Sequence, residues 1–334
     1  MKAQLAFFWS SPLCRAAFVP SAIASSRAVV DTTMVPKTTS TVLRSETDDA
    51  TSNDAAAQLW QVFPAHHWER LQERHGKDRV KLVHIVRHAE GTHNVNMEYK
   101  SEIHVDARLT DKGHAQCQAL AARIRTDESL QTLRQASETC VVTSPLTRCV
   151  QTALHSFPHL IPHVPVLAHE AWRETVNYNC DRRRHLEKIQ KEFPHVDFGG
   201  CVDGHDAIWH EYRQRLGDDW DTHMESAELY RVAKRGWEGF RALEGRPESQ
   251  VVVCTHSAFL RCILNWGQQG GVPKLMPQQL DDREDKTSTK LFGYADDLVP
   301  LENGEEVSFE EYMRRDFRNC ELRSFCLLTQ STSR

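Results

Sequence analysis

Val80-Lys81-Leu82-Val83-His84-Ile85-Val86 runs directly into Arg87-His88-Ala89-Glu90-Gly91-Thr92-His93-Asn94, and this junction sets how the rest of the chain is read. The β-branched run predicts a buried strand over 80–86. It stops at an Arg-His pair with a glycine close behind. In α/β folds ligands lie outside the carboxyl ends of the strands, so Arg87 and His88 would border a binding crevice. Arginine presents a flat fork of donors matched to phosphate oxygens. Neutral histidine is a nucleophile near pH 7 that needs no base to deprotonate it first. Together they suggest phosphoryl transfer through a phosphohistidine. The pair alone is weak evidence in a chain with 18 histidines, so other strand ends must support it.

From about residue 55, strands alternate with helical patterns, the signature of an α/β fold. Leu109-Thr110-Asp111-Lys112-Gly113 opens a helix with apolar positions at Ala115, Leu120, Ala121 and Ile124, and Thr110 is its expected N-cap. Cys140–Thr143 is a second buried strand, followed by Ser144-Pro145 as the N-cap and first turn of a helix carrying Arg148. A third strand is expected over 164–167, then a polar, irregular stretch over 181–225 and a long helix over 225–243. Val251–Thr255 is another buried strand, running into His256-Ser257 and a helix over 258–266. Residues 267–290 read as a lid or insertion loop, and 322–328 as the last strand. The expected architecture is a three-layer α/β/α domain over 55–330. Its central sheet is mostly parallel, with helical and loop insertions forming a cap over the site.

Composition bounds the function classes. A chain of 334 residues can bury a large core, and a net charge of -5 gives no footprint for nucleic acid or an anionic membrane. No apolar run approaches the length of a membrane span. The ten cysteines are scattered without a C-x-x-C pair, which argues against a zinc ribbon and for a reduced compartment. Residues 1–30 carry Lys2, Arg15 and Arg27 and no acid before Asp31, the composition of a targeting presequence. Ala16-Ala17-Phe18-Val19-Pro20 resembles the cleavage motif of bipartite plastid presequences in algae. A plastid or mitochondrion is therefore the expected destination, with the cytoplasm as the alternative. Residues 31–54, rich in Thr, Ser and Asp, read as a disordered linker.

Three strands thus end in phosphate-competent chemistry: Arg87-His88, Ser144 with Arg148, and His256. A dianionic phosphoryl group calls for one nucleophile, two guanidiniums and a further donor for the transition-state oxygens. On these residues the chain resembles the histidine phosphatase superfamily, in particular its phosphoglycerate-mutase-like branch. Arg87 to Asn94 resembles its R-H-G-E-x-x-x-N signature, and Leu109 to Gln116 its L-T-x-x-G-x-x-Q. Ser144 to Thr152 resembles its S-P-L-x-R-x-x-Q-T helix, and Thr255-His256-Ser257 stands where the family has S-H-G.

The resemblance implies that His88 accepts the phosphoryl group, that Arg87, Arg148 and His256 hold it, and that Asn94 supports the pocket. It implies a general acid near Trp172-Arg173-Glu174. Glu174 is the choice and Glu170 the rival. Ala89 and Ser257 replace glycines of the pattern; both are small, so backbone can still approach phosphate. The N-E-R-x-Y-G-like segment of the mutases is absent. Asn179-Cys180-Asp181-Arg182-Arg183-Arg184 instead resembles a C-D-x-R pattern of phosphatase-type members, which makes Arg182 and Arg183 candidate contacts to a second anionic group. The expected activity is hydrolysis of a small phosphorylated metabolite. A 2,3-bisphosphoglycerate-dependent mutase is the first alternative, and a non-catalytic phospho-ligand-binding protein the second. No cofactor and no metal are implied. A metal cluster of His84, His88 and His93 with Glu90 would need helical spacing, and this segment is a strand running into a loop. The other histidines and the tryptophans at 209, 220, 237 and 266 are read as surface or packing residues.

Overall fold

Strand β2 (Val80–Arg87) is buried along nearly its whole length because it lies inside a sheet with both faces covered. A computed structural model describes residues 58–217, 225, 229–268 and 290–329. The segments expected as a presequence over 1–30 and as a linker over 31–54, Trp220 and most of the loop expected over 267–290 lie outside the described residues. The other strands are β1 (Gln58–Pro64), β3 (Thr139–Thr143), β4 (Val166–His169), β5 (Asp197–Gly200), β6 (Gln250–Thr255), β7 (Lys290–Tyr294), β8 (Leu298–Pro300), β9 (Glu306–Ser308) and β10 (Leu322–Thr329). The helices are α1 (Trp68–His75), α2 (Thr92–Val95), α3 (Asp111–Thr126), α4 (Thr147–Ser156), α5 (Leu186–Glu192), α6 (Ala207–Leu216), α7 (Leu229–Glu244), α8 (Ser257–Asn265) and α9 (Phe309–Arg314). Among the described residues no helix is long and apolar enough to cross a membrane.

Eight strands form one sheet in the order β5-β4-β3-β6-β2-β10-β1-β7. Only β10 runs against the others: its pairings with β1 and β2 are antiparallel and the remaining pairings are parallel. Alternation along each strand divides the core between two layers. Val83, Ile85, Val251 and Val253 face α7 and α8 through Val232, Phe240, Phe259 and Ile263. Val86, Val141, Val252 and Cys254 face α3 and α4 through Leu120, Ile124, Val150 and Ala153. Each such side chain stabilises the fold by roughly 1.5–3 kcal/mol relative to exposure. The three-layer, mostly parallel architecture is therefore the observed one.

The departures are local. The helix after β3 starts at Thr147, not at Ser144-Pro145, because the Ser144 hydroxyl meets His256 and the Leu146 N–H instead of capping a first turn. Strand β4 begins two residues later than expected. Strands β1, β5 and β7 and the β8–β9 hairpin are additions to the sequence-based expectation. Two insertions, over 92–108 and 170–217, touch each other: Cys180 N donates to the Tyr99 carbonyl at 3.2 Å and Asn179 Nδ2 to the Lys100 carbonyl at 2.6 Å.

His84 shows how the sheet handles a polar core residue. Its Nδ1 lies 2.7 Å from Ser324 Oγ on β10 and its Nε2 3.4 Å from Gln250 Oε1 on β6. Burial lowers its pKa to about 4, against a weaker opposing effect of the Gln250 hydrogen bond. The unfolded chain therefore binds this proton first, so the contribution is complete above about pH 6.5 and is lost as pH falls toward about 4. Linkage gives a loss of ~1 kcal/mol at pH 5.5 from this residue alone. We expect His84→Gln to reduce the fall in Tm between pH 7 and pH 5.5, measured by thermal melts at both values.

Candidate active site

Because β3, β6 and β2 are adjacent and parallel, their carboxyl ends converge. The ladder continues past the strands: His88 N donates to the Thr255 carbonyl and Ser144 N to the Cys254 carbonyl, both at 2.9 Å. These bonds bring the His88 and His256 rings to 5.1 Å between centroids. His88 and His256 are almost completely buried.

The His88 ring is oriented by one hydrogen bond. Its Nδ1 lies 2.7 Å from the Ala89 carbonyl, which can only accept, so Nδ1 carries the proton and Nε2 keeps its lone pair. Burial, followed by the charges of Arg148 and Arg87, holds its pKa well below 6.5. The ring is thus neutral at physiological pH. His256 is held neutral in the same way by burial and by Arg148, with Nε2 2.8 Å from Ser144 Oγ.

Arg148 sits in the first turn of α4 and is 1 % exposed. Its NH1 donates to the Cys180 carbonyl at 2.6 Å and its NH2 to Asp181 Oδ1 at 3.1 Å. Arg87 donates through NH1 to the Phe317 carbonyl at 2.6 Å. Both arginines keep a buried Nε–H with no acceptor. Two guanidinium charges acting on one neutral imidazole make a setting that suits an anion.

The two candidate acids occupy different settings. Glu174 Oε1 accepts from Thr175 N at 2.9 Å and Phe259 N at 2.8 Å, while Oε2 has only a long contact, 3.4 Å, to Ala258 N. It therefore lies at the N-terminus of α8, the helix that follows His256. Its charge acts on both Arg87 and Arg148. Burial, then the charge of Asp181, raises its pKa above the usual carboxylate range, with Arg148 and the two N–H bonds opposing. Glu170 instead pairs with Arg183 Nε at 3.0 Å and with Arg173 NH1 at 3.4 Å. With Asp181 ionised, a neutral Glu174 leaves the Arg87-Arg148 pocket with one net positive charge, and an ionised Glu174 leaves none.

Asn94 braces the loop after His88: its Oδ1 accepts from Gly91 N at 3.0 Å. The Leu109–Gln116 segment supports the same loop from outside. Thr110 caps α3 through Gly113 N as expected, and its hydroxyl and Lys112 Nζ hold the Glu90 carboxylate at 2.9 and 2.7 Å. Gln116 Oε1 accepts from Glu90 N, and Thr152 Oγ1 accepts from Ala89 N. Gly113 is needed because a Cβ there would lie 2.2 Å from the Glu90 carbonyl oxygen. Gly113→Ala is expected to destabilise the chain by about 1–3 kcal/mol through overpacking against rigid backbone. Urea denaturation measures it, and monoester hydrolysis should fall with it as the loop shifts.

Two sequence-based candidates lie elsewhere. Arg183 is buried, with Nε on Glu170, NH1 on the Arg184 carbonyl and NH2 on the Val202 carbonyl at 2.8 Å. Arg182 is half-exposed, paired with Glu102 and placed over the Trp209 ring at 5.5 Å. Sequence reasoning passed over Asp181 as a partner of Arg148, although the Cys180-Asp181 pair marked the segment. It also passed over His93, whose ring lies 5.6 Å from that of His88, and Tyr99, 5.9 Å beyond His93. The metal cluster imagined around His84 does not form, since both of its ring nitrogens are engaged on neighbouring strands and Glu90 is held by Thr110 and Lys112.

Residues 83–297 match the model of the histidine phosphatase superfamily (branch 1). A phosphoglycerate mutase-like protein of Arabidopsis thaliana is 30% identical over 219 residues, covering 56% of this chain and 74% of that protein. Phosphoglycerate mutase-like protein 2 of Arabidopsis thaliana is 26% identical over 330 residues, covering 81% of each chain. Among solved structures, Bacillus stearothermophilus YhfR is similar at 20% identity and a TM-score of 0.36, covering 57% of this chain and 80% of that one.

Proposed function

The chain belongs to the histidine phosphatase superfamily, and on that footing we propose that it hydrolyses a small phosphate monoester through a phosphohistidine on His88. The observation that carries this reading is the tautomer of His88. Nδ1 is bonded to the Ala89 carbonyl, so Nε2 keeps the lone pair that attacks phosphorus, near the Arg87 and Arg148 guanidiniums whose charges act on His88. In the first step the Nε2–P bond forms and the ester P–O bond breaks. The proton on Glu174 Oε2, the carboxylate oxygen with the weaker contacts, passes to the departing oxygen. In the second step water attacks the phosphohistidine, Glu174 takes its proton back, and His88 leaves neutral. Arg87, Arg148 and His256 bear the charge that spreads over the phosphoryl oxygens in both steps.

A mutase reading is favoured by the names of the Arabidopsis relatives. Hydrolysis is preferred because Trp172-Arg173-Glu174-Thr175 stands where the mutases carry N-E-R-x-Y-G. Incubation with 3-phosphoglycerate and a bisphosphate primer separates the two. Release of inorganic phosphate from this or another monoester in a substrate panel is the expected result. Efficient conversion to 2-phosphoglycerate without phosphate release would overturn the choice.

A further inference from the structure

We propose that His66, His67 and Asp297 form a surface site for one divalent transition-metal ion of the zinc class, at the β7 edge of the sheet. His66 and His67 lie in the single 3₁₀ turn that follows β1, and Asp297 in the turn between β7 and β8. Strands β1 and β7 are the last two of the sheet, separated from β2 by β10. Their parallel pairing, extended by the 3.0 Å bond from Ala295 N to the Val62 carbonyl, brings the two turns together. The Asp297 backbone is fixed from the other side by Phe309 N, 2.8 Å from its carbonyl.

The side chains meet at this point. His67 Nε2 lies 2.8 Å from Asp297 Oδ1, and the His66 and His67 ring centroids are 4.1 Å apart. One ligand atom from each of the three lies within 4.8 Å of the others. An ion about 2.0–2.2 Å from each donor asks for donors roughly 3.5 Å apart, so the ion would replace the 2.8 Å His67–Asp297 hydrogen bond, that pair opening by about 0.7 Å while His66 closes by about 1 Å. His66 is exposed and its ring has room to swing. Two imidazoles and one carboxylate suit zinc, cobalt or nickel, whereas magnesium and calcium prefer oxygen sets. Water would fill the remaining positions. Bound there, the ion clips the end of β1 to the β7–β8 turn and stabilises the folded chain by mass action.

Calorimetric titration of the untagged full-length chain with Zn²⁺ alone at pH 7 tests the site. One ion per chain is expected, with that binding lost in His66→Ala and in Asp297→Asn. Zn²⁺ should raise the Tm of the wild type and not of the variants. Without added metal, both variants should hydrolyse a phosphate monoester at the wild-type rate. Superimposable isotherms for wild type and variants would overturn the proposal, as would an equal Zn²⁺-dependent rise in Tm in all three. His66→Ala changes an exposed side chain, so misfolding does not blur the result.

Discussion

Replacing His88 with alanine is expected to lower turnover of a phosphate monoester by about four orders of magnitude or more. The size follows from the role: without Nε2 no covalent phosphoryl intermediate forms, and residual hydrolysis rests on Arg87, Arg148 and His256 alone. The fold should survive. The Nδ1 bond of His88 goes to the next residue in the chain, and the ladder contact to Thr255 is made by backbone N–H. Truncation therefore removes a buried ring without orphaning a distant partner, a change of ordinary size for a core substitution. Initial rates together with near-UV circular dichroism check both halves. A variant that keeps more than a hundredth of wild-type activity contradicts the assignment.

Glu174→Gln should have the second largest effect, and its size should depend on the leaving group. Glutamine keeps a carbonyl to accept from Thr175 N and Phe259 N, so the cap on α8 persists while the transferable proton is removed. For an alkyl phosphate, whose leaving oxygen needs that proton, the rate should fall by about 10²–10⁴-fold. For a nitrophenyl ester, which leaves as a stable anion, the fall should be far smaller. In the wild type, kcat/KM for the alkyl ester should decline as pH rises through the elevated pKa of Glu174, and the variant should lack that limb. Glu170→Gln serves as the contrast. Its carboxylate pairs with two buried arginines, so removing its charge should reduce stability and leave the leaving-group dependence unchanged. Equal losses for both esters in Glu174→Gln would remove it as the acid.

How much of this was legible in the sequence differs from element to element, for physical reasons. The β2 junction is readable because a continuous β-branched run belongs to a strand covered on both faces, and Arg87 and His88 follow it without a break. Thr110 and Gly113 are readable as a helix start, since capping is local chemistry. The reason for Gly113 is not readable, because the Glu90 carbonyl that crowds it lies more than twenty residues upstream. Asp181 escapes for the same reason: its importance comes from Arg148, which only the tertiary fold brings within 3.1 Å. The burial of Arg183 is not readable from a local run of three arginines. Its burial depends on Glu170 and on loop carbonyls that no local pattern reveals. Strand β7 gives a weak signal because it is a short edge strand, and β1 because Gln58 and Gln61 interrupt its apolar run although it is paired on both sides.

A covalent phosphoryl group on His88 separates this route from direct attack of water on the ester. Mixing the enzyme with a monoester labelled in its phosphate, quenching within milliseconds without acid and mapping the labelled peptide tests it directly. The label should reside on His88 Nε2, form at least as fast as turnover, and be absent from His88→Ala. Turnover at full rate with no labelled protein, or with the label on another residue, would contradict the account.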